Sequence, residues 1–133
     1  MKKFLILVAT TATLSSLLLY GCSNNTSNDN INVKKISSEE AKSIIDSSND
    51  EIIVDVREKN EYEEGHIKDS ILIPLDTLEN TIEDIIKDKD SQILVYCRSG
   101  RRSAEASKII KSLGYTNIYD FGGIIDWKYE IEK

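Results

Sequence analysis

Apolar positions in this chain alternate between unbroken runs and helical spacings. The segment Glu51 to Val56 and the run Ile93-Leu94-Val95-Tyr96 have almost no polar break, the pattern of strands buried on both faces of a parallel sheet. Ile71 to Leu75 and Asn117 to Asp120 predict two further, shorter strands. Ser37-Ser38-Glu39-Glu40 is a capping box and predicts a helix running to about Ser47. Asp76 and Glu79 are placed to cap a second helix whose core face is Leu78, Ile82, Ile85 and Ile86. A third helix is predicted from Ser103, with Ala106, Ile109, Ile110 and Leu113 on one face and Gly114 as its stop. Gly123 to Tyr129 is expected to close as a helix, and the polar Arg57 to Ser70 segment reads as a connection. Strands separated by helices predict parallel pairing with right-handed crossovers. The expected fold is therefore α/β, with a mostly parallel central sheet flanked by helices.

The first 32 residues do not fit this pattern. Met1-Lys2-Lys3 is a positive start, and Phe4 to Tyr20 is uncharged and apolar, diluted by Thr and Ser. That reads as a secretory signal rather than a spanning helix. It ends Leu19-Tyr20-Gly21-Cys22, which resembles a bacterial lipoprotein cleavage box. The expectation is that residues 1–21 are removed and Cys22 carries lipid, anchoring the protein in the bilayer at the extracytoplasmic face of the cell membrane. A plain signal peptide and an uncleaved anchor are the alternatives. Residues 22–32 hold a single large apolar side chain, Ile31, after Cys22, too little to offset ordering entropy, and read as a flexible tether. From 33 to 133 the composition is globular, enough for one compact core. No internal repeat is visible.

Charge and cysteine usage narrow the chemistry. The formal net charge is −6, and residues 1–21 contribute two lysines and no acid, so residues 22–133 are more acidic still. That argues against nucleic acid or anionic lipid headgroups as partners. Arg98, Arg101 and Arg102 run against this background. With Cys22 carrying lipid, Cys97 is the one thiol of the domain, which leaves no internal disulfide and no cysteine metal site. His66 alone does not make a metal site, and lone histidines commonly satisfy local hydrogen bonds.

The chemistry centres on Cys97-Arg98-Ser99-Gly100-Arg101-Arg102. The cysteine ends a central strand in a loop that opens a helix, where open α/β sheets place ligands. Thiols react as thiolates, which helix N-termini and neighbouring cations favour. Gly100 lets the backbone curl so that N–H groups face an anion. The alternative is an inert buried cysteine, against which three arginines and a glycine within five residues weigh.

This loop resembles that of the rhodanese family of sulfurtransferases. Supporting segments are Asp55-Val56-Arg57-Glu58, Gly65-His66-Ile67, Ile73-Pro74-Leu75, and Gly122-Gly123 followed by Trp127, spanning about residues 33–131 in the family's order. The resemblance implies a rhodanese-like fold, a persulfide-forming Cys97, and a substrate cradle of Arg98, Ser99, Gly100, Arg101 and Arg102. It implies a small sulfur-donor anion such as thiosulfate and a thiol or cyanide-like acceptor, with room for a protein acceptor, and no metal or organic cofactor. Asp55 and Arg57 read as scaffold; Asp55 as a general base is the alternative. Trp127 and Tyr129 either line a substrate-facing edge or pack the core. Two other functions stay open: a phosphatase or arsenate reductase, and a non-enzymatic persulfide carrier or redox sensor. Cysteine phosphatases resembling this fold place the closing arginine six positions after the cysteine, where this chain has Ser103.

Overall fold

A computed structural model describes residues 33–133; the expected signal segment, Cys22 and the expected tether lie outside the described residues. In chain order the elements are β1 (Lys34–Lys35), α1 (Ser38–Ser47), β2 (Ile52–Asp55), α2 (Lys59–Glu64), β3 (His66–Ile67) and β4 (Ile71–Leu72). Next come α3 (Leu78–Ile85), β5 (Ile93–Cys97), α4 (Arg101–Ser112), β6 (Ile118–Gly123), a 3-10 turn over Ile124–Asp126, and β7 (Ile131–Glu132). Five strands form one sheet in the order β1-β6-β5-β2-β4, and every pair in it is parallel. The remaining two, β3 and β7, pair antiparallel as a separate ribbon. This is the α/β architecture, with a parallel sheet between helices, that the alternating pattern predicts.

The strand β5 is central because all five of its residues are buried. Successive side chains point to opposite faces. Val95 and Cys97 join Val54, Ile82, Ala106 and Ile110 in the core against α3 and α4. Leu94 and Tyr96 join Ala41, Ile53, Phe121 and Trp127 on the other face. With both faces covered, the chain reaches the surface only in the loop that follows β5, at Arg98 and Ser99.

Local signals predict most elements, and where they fail a physical cause is visible. The box at the start of α1 forms as expected, with Glu40 N–H donating to Ser37 Oγ (3.1 Å) and Ser37 N–H to Glu40 Oε2 (2.7 Å). Asp76 and Glu79 do not cap α3: its N-cap is Thr77, whose hydroxyl donates back to Pro74 O (3.2 Å) instead. Ile85 is not core but 43% exposed, because α3 ends there and Ile86 turns inward in extended conformation. The helix α4 begins at Arg101, two residues earlier than expected, since Gly100 at φ +103 turns the chain directly into it. Between Gly123 and Tyr129 only the 3-10 turn forms, and Trp127 is extended. The expected Gly123–Tyr129 helix is prevented by a backbone tie, Ile125 N–H donating to Arg98 O (3.2 Å). The helix α2 and the strands β1, β3 and β7 are short; α2 has one apolar residue in six, so no period reveals it.

Candidate active site

Cys97 is the last residue of β5 and 1% exposed. The loop Arg98 to Gly100 then delivers the chain to the N-terminus of α4, where Gly100 is the N-cap residue. Gly100 N–H donates to Cys97 Sγ at 3.0 Å. A backbone donor at the positive end of a twelve-residue helix therefore faces the sulfur. Arg98, Ser99 and Arg101 are exposed around the mouth, and Gly100 and Arg102 are half-buried.

The loop sits on an irregularity in the sheet. Val95 pairs with Asp120 and Cys97 with Gly123, so β6 spends three steps where β5 takes two. The extra residue makes a β-bulge, with Gly122 at φ +85, and bulges commonly re-aim a strand end beside a functional site. Gly123 is required for a different reason: a Cβ there would lie 2.1 Å from Arg98 O and 2.6 Å from Ser99 Cα. The loop is thus seated directly on the backbone of β6.

Arg102 does not point free into the loop. Its Nη1–H and Nη2–H donate to Glu61 Oε2 (2.7 Å) and Oε1 (2.9 Å) on α2, a two-pronged ion pair at the site's edge. The Arg102 hydrogen bonds hold the Glu61 carboxyl down at about 2, far below the usual carboxylate range. Among the described residues, Arg98 and Arg101 take part in no ion pair.

Asp55 and Arg57 form a second fork behind the loop. Arg57 Nε–H and Nη2–H donate to Asp55 at 3.0 and 2.7 Å, Arg57 N–H donates to Asp55 Oδ1 at 2.9 Å, and Nη2 also reaches Gly65 O at 2.8 Å. Both Asp55 oxygens face this one guanidinium, which is an arrangement for holding backbone rather than for taking protons. The Arg57 guanidinium also lies over the Tyr96 ring, 5.6 Å from its centroid. The Tyr96 hydroxyl accepts from Ile67 N–H (3.1 Å) and shares a hydrogen bond with Ser70 Oγ (3.2 Å). Burial, with the nearby Asp55 charge, pushes the Tyr96 phenol far above its usual range. His66 stacks on Tyr62 at 3.7 Å between centroids and Nδ1–H donates to Tyr62 O (2.9 Å), a local role. Trp127 packs between Phe121 and Tyr129, with centroids 5.7 and 4.9 Å away. Together with Ile67 and Lys42 it also lines a groove of about 470 Å³ that includes none of the Cys97 loop.

A family model for the rhodanese-like domain matches residues 37–130. The chain belongs to the rhodanese-like domain family. The thiosulfate sulfurtransferase PspE of Escherichia coli (strain K12) is 36% identical over 73 residues, 55% of this chain and 70% of that protein. A sulfurtransferase of Allochromatium vinosum is 33% identical over 96 residues, 71% of this chain and 88% of that one. Among solved structures, a rhodanese with anions from E. coli is 34% identical with a TM-score of 0.59, covering 62% of this chain and 98% of its own. The central sheet and the strand-loop-helix around Cys97 are those of a rhodanese-like domain.

Three residues at this rhodanese-like site are absent from the sequence-based set. Glu61 lies in the segment read as a connection, and its partner is 41 residues away, so no local signal announces it. Ser103 is expected only as a helix start, yet it is fully buried and donates to Asp120 Oδ1 at 2.7 Å. Asp120 is the last residue of its predicted strand and Asp55 the next-to-last of its own, both toward the sheet edge where Cys97 lies. An acidic residue at that edge is a signal of the kind that singles out Asp55.

Proposed function

We propose that the protein moves sulfane sulfur from a thiosulfate-like anion to a nucleophilic acceptor through a persulfide on Cys97. The carrying observation is the Gly100 N–H aimed at Cys97 Sγ from the start of α4, which favours negative charge on the sulfur. The Cys97 thiolate attacks the outer sulfur of thiosulfate; a new S–S bond forms, the donor's own S–S bond breaks, and sulfite leaves with that electron pair. An acceptor such as cyanide or a thiolate then attacks the outer sulfur and returns the pair to Cys97, so no external oxidant or reductant is consumed. This is covalent, two-step catalysis. The exposed Arg98 and Arg101 supply the positive charge that draws the donor and steadies the departing sulfite. The anions bound by the E. coli rhodanese agree with an anionic donor.

Near-complete burial of Cys97 admits the terminal atom of a small donor more readily than a phosphate ester. The position six after the cysteine holds no cation: Ser103 is buried under the loop. Both facts favour sulfur over phosphate chemistry. Purified without reductant and treated with thiosulfate, the protein is expected to gain about 32 Da on Cys97, one sulfur atom, and to form thiocyanate from cyanide. Cys97→Ser abolishes both, because a serine hydroxyl stays protonated and holds no persulfide. Cys97-dependent hydrolysis of aryl phosphates without sulfur transfer would falsify this reading.

We also propose that Cys22 is lipid-anchored at the extracytoplasmic face, on the strength of Leu19-Tyr20-Gly21-Cys22. Radiolabelled fatty acid is expected in the wild type and absent from Cys22→Ala. Equal labelling of the two overturns the anchor.

A further inference from the structure

Asp120 is a carboxylate only 1% exposed, and the chemistry above makes no use of it. Burying a charge is costly unless hydrogen bonds replace its water. At Oδ1 they do: Ser103 Oγ–H donates at 2.7 Å and Gly122 N–H at 3.0 Å. At Oδ2, among the described residues, there is only the Lys35 ammonium at 3.3 Å, on a side chain 72% exposed. The first oxygen is therefore the one that ties elements together.

Ser103 has one proton and three acceptors around it: Asp120 Oδ1 at 2.7 Å, Gly100 O at 3.0 Å and Gly122 O at 3.3 Å. The nearest acceptor is also the charged one and takes the proton. That bond fastens the first turn of α4 to β6. Gly122 N–H fastens the bulge of β6 to the same oxygen, and the next residue, Gly123, is the surface on which Arg98 and Ser99 rest. Both sides of the Cys97 loop thus converge on one atom, Asp120 Oδ1.

We infer that Asp120, acting through Ser103 and Gly122, is a positioning residue that holds the loop so that Gly100 N–H aims at Cys97 Sγ. The inference rests on Cys97 being the nucleophile proposed above, and not on the identity of the sulfur donor. Without the Oδ1 acceptor, the Ser103 proton turns to Gly100 O, α4 is no longer fastened to β6, and the Gly100 donor is free to drift. Because the acceptor rather than the charge is what matters, Asp120→Asn keeps the device, and Lys35 is dispensable.

The test uses the full chain and follows iodoacetamide labelling of Cys97 by site-resolved mass spectrometry, beside kcat and KM for thiosulfate-to-cyanide transfer. Asp120→Ala and Ser103→Ala are each expected to slow labelling and lower kcat by about fivefold or more, the equivalent of one hydrogen bond. The thiosulfate KM is expected to stay within about twofold, since the exposed arginines are untouched. Asp120→Asn should recover most of the loss, and Lys35→Ala should match the wild type. Should Asp120→Ala fail to fold, Ser103→Ala decides, since it removes one hydroxyl from a helix that alanine favours. Wild-type labelling by folded Ser103→Ala, or Asp120→Asn as slow as Asp120→Ala, overturns the inference. If labelling shifts as expected while no variant and no wild type transfers sulfur, the positioning role stands and the sulfurtransferase reading is the one that falls.

Discussion

Two guanidinium–carboxylate forks flank Cys97, and they differ in almost everything but their geometry. Arg57 and Asp55 are two residues apart, with side chains 6% and 0% exposed. Arg102 and Glu61 are 41 apart and 20% and 22% exposed. The first fork closes on itself, its guanidinium divided between one carboxylate and Gly65 O, and it joins the end of β2 to the turn before β3. The second joins α2 to the first turn of α4 at the rim of the site. Its consequence is electrostatic as well as structural: three arginines in the loop suggest three charges for an anion, yet Arg102 is already paired. The same kind of pair is enclosed in one place and open to water at the rim of the Cys97 loop in the other.

The largest effect is expected at the buried fork. Arg57→Ala strands the Asp55 carboxylate, a loss of about 3–5 kcal/mol, a large part of the total stability of a small domain. Urea unfolding followed by circular dichroism measures it. A loss under about 1 kcal/mol would show that the buried fork is no more structural than the exposed one. At the rim, Glu61→Gln should cost stability about 1 kcal/mol or less while releasing Arg102 toward the donor. The expected signature is a thiosulfate KM lowered about threefold, with a steeper dependence on salt. An unchanged or raised KM means that Arg102 serves the fold alone.

The smallest effect is the pH dependence of that same pair. Glu61 is held at about 2 against an ordinary 4.5. A depressed carboxyl stabilises the fold fully above its unfolded value and loses that contribution as pH falls through the folded one. The urea midpoint of the wild type should therefore drop toward that of Glu61→Gln between pH 4.5 and about 2, and the gap between the two should be constant above it. A gap that closes instead near neutral pH contradicts the pairing.

What could be read from the sequence alone was whatever depends on near neighbours. The unbroken run of β5 requires burial on both faces, the capping box of α1 lies within the four residues Ser37 to Glu40, and the cysteine with its glycine and arginines lies within one loop. Asp55 and Arg57 belong to that group too, being two residues apart. Tertiary structure alone decided that α2 forms from a nearly apolar-free segment, that the chain after Gly123 does not continue as a helix, and that Ile85 faces solvent. It also decided that Arg102 meets Glu61 and that Ser103 meets Asp120, 17 residues on. Hydrophobic period reports which side of an element is buried, and a cap reports where it starts. Neither carries information on which polar side chain a packed neighbour brings within hydrogen-bond distance, because that distance is set by how helices and strands far apart in the chain come to rest on one another.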